Sequence, residues 1–142
     1  MGQTEGMDVT NALEFLRANH RSVLVTRKRN GDPQLSPVAH GVDAENRVVI
    51  STREPAYKVR NLRRDLRASL LGLNDGFYGQ WVQIDGTAEL ISLPEAMEPL
   101  VDLYRQIQGE HPDWDDYRAA MGRDQRLIIA ITPTSAGPNR SG

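Results

Sequence analysis

The chain has no cysteine. That excludes a disulfide framework, thiol chemistry and zinc sites of the cysteine type. Its histidines, His20, His40 and His111, are scattered, and no carboxylate stands at ligand spacing beside them, so no metal site is expected. There is no Gly-x-Ser-x-Gly elbow, Walker loop or Gly-x-Gly-x-x-Gly turn. No apolar run reaches the roughly 18 residues of a membrane span. Residues 1–10, MGQTEGMDVT, lack the basic and apolar regions of a signal peptide. Gly6 stands where a myristoylation signal needs Ser or Thr. A cytoplasmic protein is expected. Lysine is scarce: Lys28 and Lys58 are the only two among 17 basic residues, a bias that hints at a GC-rich genome.

What is present is an ordinary globular balance, with 39% hydrophobic and 25% charged residues in a chain of 142. One domain is expected, with its core over about 8–133 and a flexible tail over 134–142. The net charge of −2 argues against a general nucleic-acid binder. That charge is unevenly spread. Arg53, Lys58, Arg60, Arg63, Arg64 and Arg67 crowd one stretch, opposed only by Glu54 and Asp65. Six cations against two anions make the stretch +4, so the rest of the chain sums to −6. A local basic patch on an acidic protein suits a small anionic ligand.

Periodicity gives the elements. Val9, Ala12, Leu13 and Leu16 form one helical stripe, capped by Asp8 or Thr10. Strands are expected over 22–28, 34–42, 47–51, 67–73, 80–92 and 125–132, and Asn30-Gly31 marks a hairpin turn between the first two. Pro37 cannot donate to a ladder, which puts its strand at an edge or beside a bulge, and Gly86 is expected to bend the fifth strand. Helices are expected from Pro55, over 94–108 with a delay or kink at Pro99, and over 113–122 behind an Asp113 cap. The run Asp113-Trp114-Asp115-Asp116 lacks the Gly and terminal Glu of a calcium loop and reads as capping. Six strands with helices at the start and near the end predict a mainly β (α+β) fold: a small six-stranded barrel with peripheral helices.

The basic helix has Val59, Leu62 and Leu66 on a core-facing side. A helix N-terminus is a natural phosphate seat, Ser51 and Thr52 add hydroxyls just before it, and Lys58 lies one turn in. The same pattern also suits a solvated basic face. Trp81 fits the core, a dimer interface or a ring-stacking role. An anion site on a barrel, without an evident nucleophile or proton shuttle, points to chemistry done by a bound cofactor.

Four segments carry a resemblance: NGDPQLSPV, REPAYKVRNLRRDLRASL, DGTAEL and LYRQIQGEHPDWDDYRAAM. Over roughly 8–133 the chain resembles the pyridoxamine-5′-phosphate-oxidase-like flavin and deazaflavin oxidoreductases. These are split β-barrel, FMN-binding-type proteins, and the chain is most similar to their actinobacterial branch that uses coenzyme F420. The resemblance implies a homodimer with two cofactor sites at the subunit interface. It implies that Gln34, Ser36, Pro37 and Val38 lie against the ring system, and that Ser51, Thr52, Lys58, Arg60 and Asn61 hold the cofactor phosphate. Arg63, Arg64 and Arg67 would serve the acidic polyglutamate tail, and Trp81 would approach the ring from the partner subunit. Reduced F420 would pass a hydride from C5 to an electron-poor small molecule of quinone, enone or tetrapyrrole class. FMN, as in an oxidase of pyridoxamine phosphate, is the alternative cofactor, and a non-catalytic F420 carrier or sensor the alternative role. His40 is the one titratable group expected near the ring strand, and no catalytic residue is assigned. Relatives often end the last strand with Arg-Val-aromatic-Gly; this chain has PTSAGPNRSG instead. Of the two lysines, Lys28 in the hairpin is expected to be inert toward ligand.

Overall fold

The computed structural model describes residues 8–137; the terminal segments 1–7 and 138–142, which include the N-terminal residues discussed above, lie outside them. The order is α1 (Val9–Ala18), β1 (Arg21–Arg27), β2 (Pro33–Ala39), β3 (Gly41–Val42), β4 (Val48–Arg53), α2 (Tyr57–Arg64), β5 (Arg67–Leu73), β6 (Trp81–Ile91), α3 (Met97–Gln108), α4 (Trp114–Arg123) and β7 (Arg126–Ala136). The strands form one antiparallel sheet in the order β2-β1-β5-β6-β7-β4-β3. Its two edge strands, β2 and β3, are neighbours in sequence with only His40 between them. One residue spans a few ångströms, so the ends of the seven-stranded sheet must meet and the sheet must curl. That connectivity produces the split barrel.

The strand expected over 34–42 is therefore two strands, and the count is seven rather than six. The reason is His40. Its backbone N–H donates to His20 O (3.0 Å) and its ring is fully buried, so the chain pivots there from one end of the sheet to the other. Pro37 sits on the edge strand as its missing N–H demands, paired with Val23. Gly86 marks a register shift in β6, and a Cβ there would run into the Thr132 carbonyl. The bulge corrects a second expectation. Residues 133–136 do not open a tail; they continue β7, with Pro133 opposite Gly86 and Ala136 opposite Ile84. At the bulge, a residue lacking N–H costs no ladder bond.

Burial explains the apolar runs. From β7, Leu127, Ile129 and Ile131 point into the barrel with Leu24, Ile50, Leu70 and Ile84. The alternate residues Ile128 and Ala130, with Val49 of β4, pack under α3 and α4 against Leu100, Val101, Leu103 and Tyr117. A strand buried on both faces reads as a continuous hydrophobic run.

The helices follow their caps. Asp8 accepts from Asn11 N (2.7 Å) and Asp113 from Asp116 N (3.1 Å). α3 starts at Met97, later than Pro94, and Pro99 falls in its first turn, where no N–H is needed. α2 starts at Tyr57 rather than Pro55, with Ala56 as a cap that makes no side-chain bond. Val59 and Leu62 are buried, but Leu66, expected to face the core, lies beyond the helix and is 46% exposed. Among the described residues no helix is long and apolar enough to cross a membrane.

Candidate functional site

Charge pairing sorts the six cations of the basic stretch. Glu54 takes Arg63 (2.7 Å) and Asp65 takes Arg67 (2.7 Å). The Arg67 hydrogen bonds hold the Asp65 carboxyl down to about 2. Two of the three arginines assigned above to an acidic tail, Arg63 and Arg67, are thus already committed to acids of their own stretch, and Arg64 is not. The excess positive charge is left on Arg53, Lys58, Arg60 and Arg64, and these face two different concavities.

The first concavity lies between β2, the end of β4 and the α3–α4 pair, with a volume of about 540 Å³. Ser51, Thr52, Lys58, Gln108 and Arg126 supply its polar part; Pro37, Val38, Tyr104, Ile107, Tyr117 and Met121 are among its apolar walls. Among the described residues no carboxylate lines it. A small annex of about 350 Å³ opens beside Thr52, Arg53, Pro55, Ala56, Lys58 and Arg126, at the uncapped start of α2. Lys58 is half-buried at the junction of the two spaces rather than free on the surface.

The second concavity, about 670 Å³, is a basic groove lined by Lys28, Arg29, Gln34, Leu35, Tyr57, Arg60, Asn61 and Arg64, with Pro33 at its rim. Arg60 stacks over the Tyr57 ring at 5.6 Å. Asn61 is buried and its amide is engaged within the protein: Nδ2 donates to Thr26 Oγ1 (3.0 Å) and Gln34 Oε1 (2.8 Å), and Oδ1 accepts from Arg64 (2.9 Å). It fixes α2 to β1 and β2 and aims Arg64. Lys28, expected to be inert toward ligand, lines this groove.

The residues expected to form one cofactor site are thus distributed. Pro37, Val38, Ser51, Thr52 and Lys58 share the first concavity. Gln34, Arg60, Asn61 and Arg64 share the second. Ser36 is half-buried on β2 opposite Leu24 and lines neither. Trp81 lies on the outward face of β6 in a third, largely apolar space of about 720 Å³, with Val25, Leu71, Leu73, Phe77, Tyr78 and Gln83.

Sequence reading missed Tyr104, Ile107, Tyr117, Met121, Arg126 and Arg29. The α3 and α4 side chains read as core, and in part they are: Tyr117 OH donates to Leu100 O (3.0 Å), and Tyr104, His111, Trp114 and Tyr117 form an aromatic knot with centroids 5.0–5.7 Å apart. Arg29 could have been found from the Arg-Lys-Arg run before the hairpin turn. Arg126 could not, because it joins the site only through strand pairing.

His40 follows Ala39, which lines the first concavity, but its own side chain is fully buried. Its Nε2 donates to Leu16 O (3.0 Å) and its Nδ1 meets Ser22 Oγ (2.7 Å), the network that assigns a neutral ring with its proton on Nε2. It lines none of the three concavities and serves the barrel's closure, not the site.

Comparison with known proteins agrees with this architecture. A conserved hypothetical protein from Mycobacterium tuberculosis superposes with a TM-score of 0.76 at 23% identity, over 92% of this chain and 82% of that one. A protein described as an F420 reductase superposes with a TM-score of 0.69 at 18% identity, over 87% and 94%. A NimC/NimA family protein from Clostridium acetobutylicum gives 0.62 at 18% identity, over 88% and 80%. At these identities the likeness is one of fold. The family described as pyridoxamine 5′-phosphate oxidase matches residues 10–138, nearly the whole chain, and the protein therefore belongs to that oxidoreductase-type family.

Proposed function

We propose that the protein is an F420-dependent oxidoreductase, a reductase that transfers a hydride between the reduced deazaflavin and an electron-poor small organic molecule of quinone, enone or tetrapyrrole class. The observation that carries this reading is the division of the basic stretch between two concavities. One cationic site with hydroxyls adjoins an apolar cleft, which suits a phosphorylated ring compound. A separate groove holds Lys28, Arg29, Arg60 and Arg64, more positive charge than one phosphate needs. A ligand with both a phosphate and a chain of carboxylates would use both. The residues present fit such a group: Lys58, Thr52 and Arg126 border the annex together, and the Arg126 Nε is buried there without a partner.

When bound, the deazaflavin supplies the hydride. The chain's own residues bind and orient. Lys58, Ser51 and Thr52 fix the anionic end, while Pro37, Val38, Tyr104 and Met121 present apolar surface that excludes water from the ring side. No residue here is assigned as proton donor, and His40 is discounted by its burial and its place in the barrel's closure. FMN is the second reading, favoured by the family match and served by the same phosphate site. Titration of the purified protein with each cofactor, followed by fluorescence, tests the choice. F420 is expected to bind at least about tenfold more tightly than FMN, about 1.4 kcal/mol; equal or reversed affinities overturn it.

The proposal includes a symmetric homodimer. The outward face of β1, β5 and β6 supports it. Val25, Leu71, Leu73 and Trp81 form an apolar patch there, with Phe77 61% and Tyr78 84% exposed beside it and Leu35 62% exposed on β2. Such a patch is uncommon on a monomer surface. Leu71→Arg, which places a charge at its centre, is expected to convert the dimer to a monomer in light scattering and to weaken cofactor binding with it. A wild-type monomer that binds cofactor fully would contradict the shared site.

A further inference from the structure

Arg126 opens β7 directly opposite Arg53 of β4, so two guanidinium side chains project from adjacent strands on one face of the sheet. Like charges placed directly opposite destabilise a strand pair. Lys58 adds a third cation, and all three border the annex at the start of α2. Among the described residues, none of the three has a carboxylate within ion-pair distance. Glu54 and Asp65, the acids of the basic stretch, are committed to Arg63 and Arg67, and Asp124, two residues before Arg126, forms no ion pair among the described residues. Arg53 has a weak partner, the Asp124 carbonyl at 3.3 Å. The Arg126 Nε has none, although it is fully shielded from solvent. A buried donor without a partner is costly, and a guanidinium cannot relieve the cost by losing its proton.

We propose that Arg126 is a further anion-binding residue, a strand-borne arm that acts with Lys58 as a two-sided clamp on a phosphoryl group. The clamp spans elements far apart in sequence. Lys58 comes from the helix following β4, and Arg126 reaches the same space through the β4–β7 ladder. Thr52, the penultimate residue of β4, lines both the cleft and its annex together with Lys58 and Arg126. The fork of Arg126 offers directional donors where Lys58 offers a point charge, so the two are not redundant. The proposal deepens the reading of this cavity as a phosphate site and rests on it.

The test uses inorganic phosphate as the probe, which separates the clamp from the identity of any cofactor. Wild-type protein free of cofactor is expected to bind phosphate in calorimetry and to melt higher in its presence than in chloride at equal ionic strength. Arg126→Met is expected to weaken phosphate binding about tenfold or more, to abolish the phosphate-dependent rise in Tm, and to leave the melt in chloride unchanged or higher, because a like charge has been removed. Arg126→Lys should recover part of the affinity. If Arg126→Met does not fold, Arg126→Gln carries the same measurement. Phosphate affinity retained in the variant, or absent in the wild type, overturns the clamp. Phosphate binding that depends on Arg126 in a protein that binds neither F420 nor FMN upholds the clamp and overturns the cofactor reading alone.

Discussion

His40→Ala is expected to lower stability by about 3–5 kcal/mol, the largest effect of any single substitution considered for this fold. The ring is fully buried at the one residue that joins the two edges of the sheet. Truncation would leave a cavity, strip the Leu16 carbonyl of its 3.0 Å donor and leave Ser22 Oγ without its 2.7 Å partner. Leu16 closes the last turn of α1, so the loss also loosens the helix that covers one end of the barrel. Burial, and to a lesser extent the nearby His20, lower the His40 pKa from 6.5 to about 4, while the bond to Leu16 works the other way. The neutral ring is the folded form. In the unfolded chain the same ring protonates near pH 6.5, so the unfolded state binds more protons between the two values. His40 therefore costs no stability above about pH 6.5, and stability is lost as the pH falls toward about 4. The full shift corresponds to about 3 kcal/mol. Urea unfolding across this range should show that slope in the wild type, and His40→Gln should lack most of it. An unchanged slope in His40→Gln would place the acid sensitivity elsewhere.

That residue also shows where sequence reading stopped. Alternation and the edge proline gave the segment 34–42 its strand character, and Pro37 does lie on an edge. Nothing in local spacing says that His40 turns the chain to the opposite end of the sheet, because the break is enforced by long-range partners at Leu16, His20 and Ser22. The last strand misled in the opposite direction: it is expected to end at 132, yet β7 runs on to Ala136, with the bulge at Gly86 facing Pro133. The basic stretch was legible as an excess of charge, because composition needs no tertiary information. Its division was not. Which arginines are free depends on which acids reach them, and Glu54 and Asp65 turn out to quench Arg63 and Arg67 and to spare Lys58, Arg60 and Arg64. Arg126 was invisible for the same reason as the His40 turn: it enters the site through strand register. What the sequence carries locally, the Asp8 and Asp113 caps, the α1 stripe and the charge density, survived, although the α2 stripe lost Leu66. What depends on which strands meet did not.

Lys58→Ala is expected to weaken cofactor binding about ten- to a hundredfold, the loss of a charge-assisted hydrogen bond worth roughly 1.5–3 kcal/mol. Lys58 is the second residue of α2, beside backbone N–H groups that no side-chain cap satisfies. It borders both the cleft and the annex, with Thr52 and Arg126 common to both. A ligand anion placed there would meet the helix dipole, a hydroxyl and two cations at once. The free protein should respond differently. Lys58 has no acid partner among the described residues, and it shares its space with Arg53 and Arg126. Removing it relieves repulsion, so the melt of the unliganded variant should be unchanged or slightly raised. Ligand affinity and intrinsic stability thus move in opposite directions, which a merely structural lysine would not produce. Lys28 cannot serve as a neutral comparison, because it lines the basic groove. Arg17→Ala is the better control: its exposed side chain donates to Asn46 and lines neither concavity. Lys28→Ala becomes a test in its own right, since a carboxylate chain in the groove should lose affinity with it while FMN should not. Titrations of F420 and FMN against the three variants, beside their melts, separate the two concavities. Wild-type affinity for both cofactors in Lys58→Ala would reduce the positive stretch to a solvated face.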